Sequence, residues 1–235
     1  IDGALVQDIA QQMRERWSGA RARMRSSSNT EDLPEFNGAG LYTSVAVEGA
    51  DEAQIREGLY AVWTSLWGLR AYEERRFARI DQTAVGIAVL VHPAFESERA
   101  NGVAVSRDLT DPTRSDHYYA NFQVGEASVT NPAPGVGTEA FLYRWGRAPR
   151  IVYQSRSTLT TEPVLSTPEI DETMCFLSAI HRYFQERLDP DNENPYFAIE
   201  IEIKRVGPAR RLLIKQARPY SFGSLASTGD CRERL

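Results

Sequence analysis

The feature that most constrains this chain is a strict alternation near its C-terminal end. Across residues 196–203, Phe197, Ile199, Ile201 and Ile203 fall at one parity, and Ala198, Glu200 and Glu202 at the other. A period of two places successive side chains on opposite faces of a strand, so one face is apolar and the other carries carboxylates. After a turn at Gly207-Pro208, residues 212–218 read as a returning strand. On that strand Leu212, Ile214, Gln216 and Arg218 are expected to share a face, opposite Leu213, Lys215 and Ala217. If the two strands pair, two carboxylates, a carboxamide and a guanidinium project from one sheet surface. The chain must then contain a sheet that buries one face and keeps polar chemistry on the other.

The remaining segments predict helices and strands without regular alternation, which indicates an α+β architecture more than a doubly wound sheet. Residues 3–17 carry Leu5, Ile9, Met13 and Trp17 at helical spacing. Asp51 can cap a long helix with Ile55, Leu59, Val62, Leu66 and Leu69 as its buried stripe and a basic end at Arg70, Arg75, Arg76 and Arg79. Trp63 and Trp67 on that helix are expected in the core. Residues 84–91 form a nearly continuous apolar run, expected to be a strand buried on both faces. Further strands are expected at 42–47, 102–106, 118–124, 140–145 and 150–156, and a helix from Thr167 with Pro168 in its first turn. Residues 131–137 and 189–195 read as loops.

Composition narrows the functional classes. With 235 residues the chain can bury a substantial core, as one large domain or two lobes. A net charge of −5 gives no global attraction for nucleic acid or an anionic membrane, so neither is expected as a partner. Cys175 and Cys231 fit neither a disulfide framework nor a metal cluster and suit reduced thiols in a cytoplasmic setting. His92, His117 and His181 lack metal-ligand spacing, and His181 is expected to be structural. The chain opens at Ile1, not Met, which suggests a processed product or a fragment.

Two clusters carry chemistry. Glu200 and Glu202 with Gln216 and Arg218 suit a metal–nucleotide site: Mg²⁺ takes carboxylate oxygens together with phosphates, and arginine offers a planar fork of donors to phosphate. On spacing alone the same residues could be the solvated side of an edge strand. The second cluster, Arg25-Ser26-Ser27-Ser28-Asn29-Thr30-Glu31-Asp32 with Gly38-Ala39-Gly40, reads as a polar loop in which hydroxyls and glycines let donors approach a phosphate. A flexible polar loop is the alternative.

In order along the chain, five segments resemble the N-terminal nucleotide-binding domain of the phosphoenolpyruvate synthase, pyruvate phosphate dikinase and glucan water dikinase family. They are the Arg25–Asp32 cluster running on to Leu41-Tyr42; Trp63-Thr64-Ser65-Leu66-Trp67 with Arg70-Ala71; Ala88-Val89-Leu90-Val91 with Asn101-Gly102-Val103; Val124-Gly125-Glu126; and Glu200-Ile201-Glu202 leading to Gln216-Ala217-Arg218-Pro219. The first is most similar to the glucan dikinase version.

The resemblance implies an ATP-grasp-like mixed sheet with flanking helices, lacking part of the N-terminal subdomain. The matching segments run from about residue 25 to 219, and the implied domain covers residues 1–222, with 223–235 as a tail. ATP and Mg²⁺ are the implied cofactors. Arg25, Arg70, Glu126, Gln216 and Arg218 would bind ATP, with Glu126 at the adenosine end and the adenine against the connection after Val91. Glu200 and Glu202 would hold Mg²⁺, and Arg25 and Arg218 would be catalytic. The implied reaction moves phosphate from MgATP to a histidine on a separate carrier domain or protein, and on to a small-molecule or glucan acceptor.

There are departures. Glu200 stands where aspartate is usual, His92 where glutamine is usual, Val105-Ser106 where phenylalanine-threonine is usual, and Gln123-Val124 where glycine-leucine is usual. A glycine-rich lysine region has no counterpart before Arg25, and a threonine-serine-histidine phosphocarrier motif is absent. A degenerate nucleotide-binding or regulatory module without transfer activity is therefore the competing expectation, and a structural domain without nucleotide the third.

Overall fold

The computed structural model describes residues 1–33, 36–38, 40–95, 97–130, 132–146, 148, 150–220 and 222, without the side chains of Asp32 and Asn37. Cys231, Ala39, Asn131 and the expected tail at 223–235 lie outside the described residues. The chain divides into two compact units, Ile1–Phe95 and Glu96–Leu235. Each has its own core, as expected for a chain of this length.

The first unit opens with α1 (Gly3–Trp17), whose first turn is capped by the Asp2 carboxylate accepting from the Ala4 N–H at 2.9 Å. Its buried residues are Val6, Ala10 and Met13. Leu5, expected in the stripe, is 40% exposed because the buried face is rotated by about one residue. β1 (Ala22–Ser28), β4 (Val45–Val47) and β5 (Ile87–Pro93) form an antiparallel sheet in the order β4-β1-β5, while β2 (Asp32–Leu33) and β3 (Phe36–Asn37) pair separately. β5 starts later than expected and is buried on one face only: Ile87, Val89 and Val91 pack on the core, whereas Ala88 and Leu90 are exposed. A three-stranded sheet covered on one side cannot bury both faces of an edge strand, whatever its apolarity.

The expected long helix is two helices, α2 (Glu52–Ser65) and α3 (Leu69–Phe77). Asp51 caps α2 as anticipated, accepting from the N–H groups of Ala53 and Gln54. The N–H groups of Leu66, Trp67 and Gly68 bond three residues back, tightening the last turn before Gly68 redirects the chain. Leu69 is thereby turned out to 78% exposure, and Trp67, also expected in the core, is exposed. Trp63 does pack on the core. The largest fully buried side chain is Arg75 of α3. It donates to Leu66 O, the Tyr42 hydroxyl and Gln82 Oε1 at 2.8, 3.2 and 3.0 Å, with the Trp67 ring 5.8 Å away. A buried guanidinium is tolerable only with such partners.

The second unit is a six-stranded sheet, β11-β10-β6-β7-β8-β9, whose pairings are all antiparallel. Its strands are β6 (Glu98–Val105), β7 (His117–Val124), β8 (Glu139–Arg144), β9 (Arg150–Tyr153), β10 (Ile199–Val206) and β11 (Arg211–Pro219). One helix, α4 (Thr167–Leu188), supplies Ile170, Met174 and Leu177 to the core against Phe122, Phe141, Ile199, Ile201 and Ile203. Burial of each isoleucine contributes roughly 1.5–3 kcal/mol. Gly102 of β6 is glycine for a steric reason: a Cβ there would lie 2.3 Å from the Phe122 ring and 2.6 Å from Asn121 O. Arg205 ties β10 to α4 by donating to Glu169 O and the Thr173 hydroxyl at 2.7 and 3.0 Å and by pairing with Glu172. Among the described residues no helix is long and apolar enough to cross a membrane.

Candidate functional site

The alternation in β10 is realised in full. Ile199, Ile201 and Ile203 are buried against α4, and Glu200, Glu202 and Lys204 occupy the opposite face. β10 and β11 pair with Glu200 opposite Arg218 and Glu202 opposite Gln216, so all four candidate side chains fall on that second face.

The expected face assignment of β11 holds only in part. Leu212, Ile214 and Ala217 pack on the core, so Leu212 and Ile214 lie opposite Gln216 and Arg218. The cause is a register shift after Glu202, where Lys215 is the extra residue of a β-bulge between the pairs Glu202–Gln216 and Ile203–Ile214. The bulge reverses the parity of the strand and lets Lys215 pair with Glu202.

The result is three ion pairs along the second face of β10. Arg218 Nη2 and Nε both donate to Glu200 Oε1, at 2.9 and 3.2 Å, with both side chains about 15% exposed. Lys215 pairs with Glu202, and Lys204 with Glu98 of β6. Each carboxylate has a cation beside it, so the face is close to neutral. The floor continues with Val105 and Val103 of β6, then Tyr119 and Asn121 of β7. Among the described residues Asn121 Oδ1 is buried without a hydrogen-bond partner, which leaves an acceptor requiring a donor on this surface.

Glu126 follows β7 in a turn that needs Gly125 at φ +62°. Asn101 Nδ2 holds this turn by donating to the carbonyls of Gly125 and Ala127 at 2.7 and 2.9 Å. Asn101 is opposite Lys204, so the Glu126 turn lies roughly 13 Å along the strands from Glu200.

Arg25 and Arg70 belong to the first unit. Arg25 is half-buried opposite Leu90 in the β1–β5 pairing. Arg70 is 72% exposed and donates to Glu74 Oε1 at 3.1 Å. The expected polar loop after Arg25 is in part strand, since β1 runs to Ser28. Its polar groups are used locally: Asn29 bonds Gly86 N and Ala84 O, and the Ser28 and Thr30 hydroxyls bond one another, with Thr30 also bonding Tyr42. The residues missed in the sequence are Lys215, whose side depends on the bulge, and Asn121, whose buried oxygen no spacing announces.

The residues present fit Mg²⁺ bound together with phosphates. Mg²⁺ commonly takes one or two carboxylates and fills its octahedron with phosphate oxygens and water. Glu200 and Glu202 supply two carboxylates at i and i+2 on one face, and among the described residues Glu200 Oε2 accepts no hydrogen bond. An all-protein cage is not what the site offers, since no group of three or more His, Cys, Asp or Glu is placed to hold a metal among the described residues.

A family model described as "Pyruvate phosphate dikinase, AMP/ATP-binding domain" matches residues 3–140. That span contains Arg25, Arg70 and Glu126, and the β10–β11 hairpin lies C-terminal to it. The phosphoenolpyruvate synthase of Pyrococcus furiosus is 31% identical over 108 residues, 46% of this chain and 13% of that protein. The phosphoenolpyruvate synthase of Aeropyrum pernix is 38% identical over 84 residues, 35% of this chain and 10% of that protein. The matched stretch is thus a small fraction of the length of these relatives. With more than half of its residues inside the matched span and an α+β fold, the chain belongs to the pyruvate phosphate dikinase AMP/ATP-binding domain family.

Proposed function

We propose that this chain is an ATP-grasp-type domain that binds MgATP for a phosphotransferase of the phosphoenolpyruvate synthase kind. The observation that carries the reading is the placement of Glu200, Glu202, Gln216 and Arg218 on one sheet face, with Lys215 added by the bulge. Bound Mg²⁺ supplies charge neutralisation at the phosphates.

The protein's part is an exchange of partners. Glu200 and Glu202 would hold the metal, and the Arg218 and Lys215 cations beside them would then be available to phosphate oxygens. Arg218 offers a fork and Lys215 a point charge. Gln216 gives an amide donor beside them. Positioning and charge neutralisation of this sort suffice for phosphoryl transfer without a nucleophile on the domain. In this reading Glu126 marks the adenosine end, and Arg25 and Arg70 are phosphate contacts, with Arg25 and Arg218 acting in catalysis. The phosphate passes to a histidine on a separate carrier domain or protein, then to a small-molecule or glucan acceptor. A cytoplasmic setting accords with a nucleotide substrate.

Thermal unfolding with and without MgATP tests the reading. The wild type should gain several degrees at saturating nucleotide, since occupancy at about a hundred times Kd is worth about 2.7 kcal/mol. Glu202→Ala should lose most of that gain, and ATP without Mg²⁺ should give much less. An equal gain in Glu202→Ala would remove the metal assignment. Transfer of labelled phosphate from ATP to a carrier histidine then separates a working kinase domain from a binding module without transfer.

A further inference from the structure

A second polar site lies within the sheet-and-helix unit, on the α4 side of the sheet where β6 ends. It is a cavity of about 300 Å³ lined by Ser106, Arg107, Tyr118, His181, Gln185 and Asn194 among others. Arg107 dominates its chemistry. The residue is only 8% exposed, its Nε is buried without a hydrogen-bond partner among the described residues, and its Nη2 donates to Phe197 O at 3.3 Å. A guanidinium has five N–H donors, and leaving them unmet in a buried position is costly. The two more deeply buried arginines differ from it: each nitrogen of Arg75 donates to a protein acceptor, and Arg205, whose Nε also lacks a hydrogen-bond partner among the described residues, has its charge paired with Glu172.

The surroundings are arranged for an anion. Among the described residues no carboxylate lines the cavity, and the nearest acidic neighbour in sequence, Asp108, is engaged elsewhere, accepting from Thr110 N, the Thr110 hydroxyl and Asp111 N. Ser106 and His181, seventy-five positions apart, meet at 2.7 Å between Oγ and Nδ1. The Ser106 Oγ also accepts from Ile199 N at 2.9 Å, which fixes the hydroxyl at the cavity wall. Gln185 is held by donating to Asn192 Oδ1 at 2.7 Å. Burial first, and the Arg107 charge second, hold the His181 imidazole below its ordinary range, which favours its neutral form.

We propose that this cavity is an anion-binding site that takes a small phosphate, free or as a phosphate ester, on the Arg107 guanidinium, with His181, Ser106 and Gln185 as flanking polar groups. Arginine's fork of donors matches phosphate oxygens, and the enclosure strengthens the charge-assisted bonds. The site does not depend on the nucleotide reading of the β10–β11 face.

The test uses the full chain and inorganic phosphate, followed by the imidazole NMR signals of His181 and by calorimetry. The chain has three histidines, so His181→Gln assigns the signal. Phosphate should move the His181 resonances saturably in the wild type and in Arg218→Ala, which separates this site from the sheet face. Arg107→Met should weaken phosphate binding at least about tenfold while the MgATP stabilisation is retained. Gln185→Glu, which brings a negative charge to the wall, should weaken it similarly and serves if Arg107→Met fails to fold. Glycerol 3-phosphate binding as tightly as inorganic phosphate identifies an ester site, and phosphate alone identifies a free-ion site. His181 resonances indifferent to both probes, or binding unchanged in Gln185→Glu and Arg107→Met, would overturn the proposal.

Discussion

Single residues here show why residue type and residue role part company. Arg25, Arg70, Arg75, Arg107 and Arg218 are chemically identical and fall in five environments. Arg70 is solvated and pairs with Glu74, Arg75 is a buried structural hub, and Arg218 is held on a carboxylate in a half-buried sheet face. Arg107 is buried, and its Nε has no partner among the described residues. Burial and partner supply, which decide these roles, are properties of the fold. Gly102 is the opposite case, where identity is forced by contact. Gly102→Ala should destabilise the chain by about 1–3 kcal/mol, because the Phe122 ring and the Asn121 carbonyl must both give way. Urea unfolding that shows no loss would mean that β6 and β7 can part without penalty.

Among the elements, α4 is the most legible in sequence and β11 the least. α4 starts at Thr167, as Thr167 and Pro168 predict, and the structure adds a cap in which the Glu169 carboxylate accepts from Ser166 N and Oγ at 2.8 and 2.9 Å. Arg210 Nε donates to the same side chain at 2.6 Å. Burial works to raise the Glu169 pKa, but the Arg210 and Ser166 bonds outweigh it and hold the group below its ordinary 4.5. A depressed carboxylate contributes stability that is fully present above the unfolded value and is lost as pH falls through the folded one. Wild-type stability should therefore decline more steeply below about pH 4.5 than that of Glu169→Gln. At neutral pH that variant should be weaker by about 1–2 kcal/mol. Parallel acid limbs for the two proteins in denaturant titrations would contradict this. β11 defeats periodicity because one bulge residue inverts every side chain beyond it. The α2–α3 break was hidden for a related reason, since the apolar spacing runs through Gly68 while the backbone does not.

The whole molecule consists of two units with separate cores, Val6 to Val62 in one and Ala100 to Ile203 in the other. A fragment of residues 96–235 should accordingly fold alone and unfold in one cooperative transition, because its six-stranded sheet and α4 bury their apolar faces on each other. A fragment without near-ultraviolet circular dichroism or a sigmoidal melt would show that this core is insufficient by itself.

The sequence by itself determined the α+β class, most strands, the helix over residues 3–17, the helix starts at Asp51 and Thr167, the buried face of β10 and the family resemblance. These follow from short-range periodicity and capping, in which the interacting groups lie within a few residues. Only the tertiary structure decided that Lys215 joins Glu202, that Leu69 and Trp67 turn outward, and that Ser106, Arg107 and His181 enclose a cavity. Each depends on groups far apart in the chain or on a backbone irregularity, and neither is encoded by the spacing of neighbouring residues.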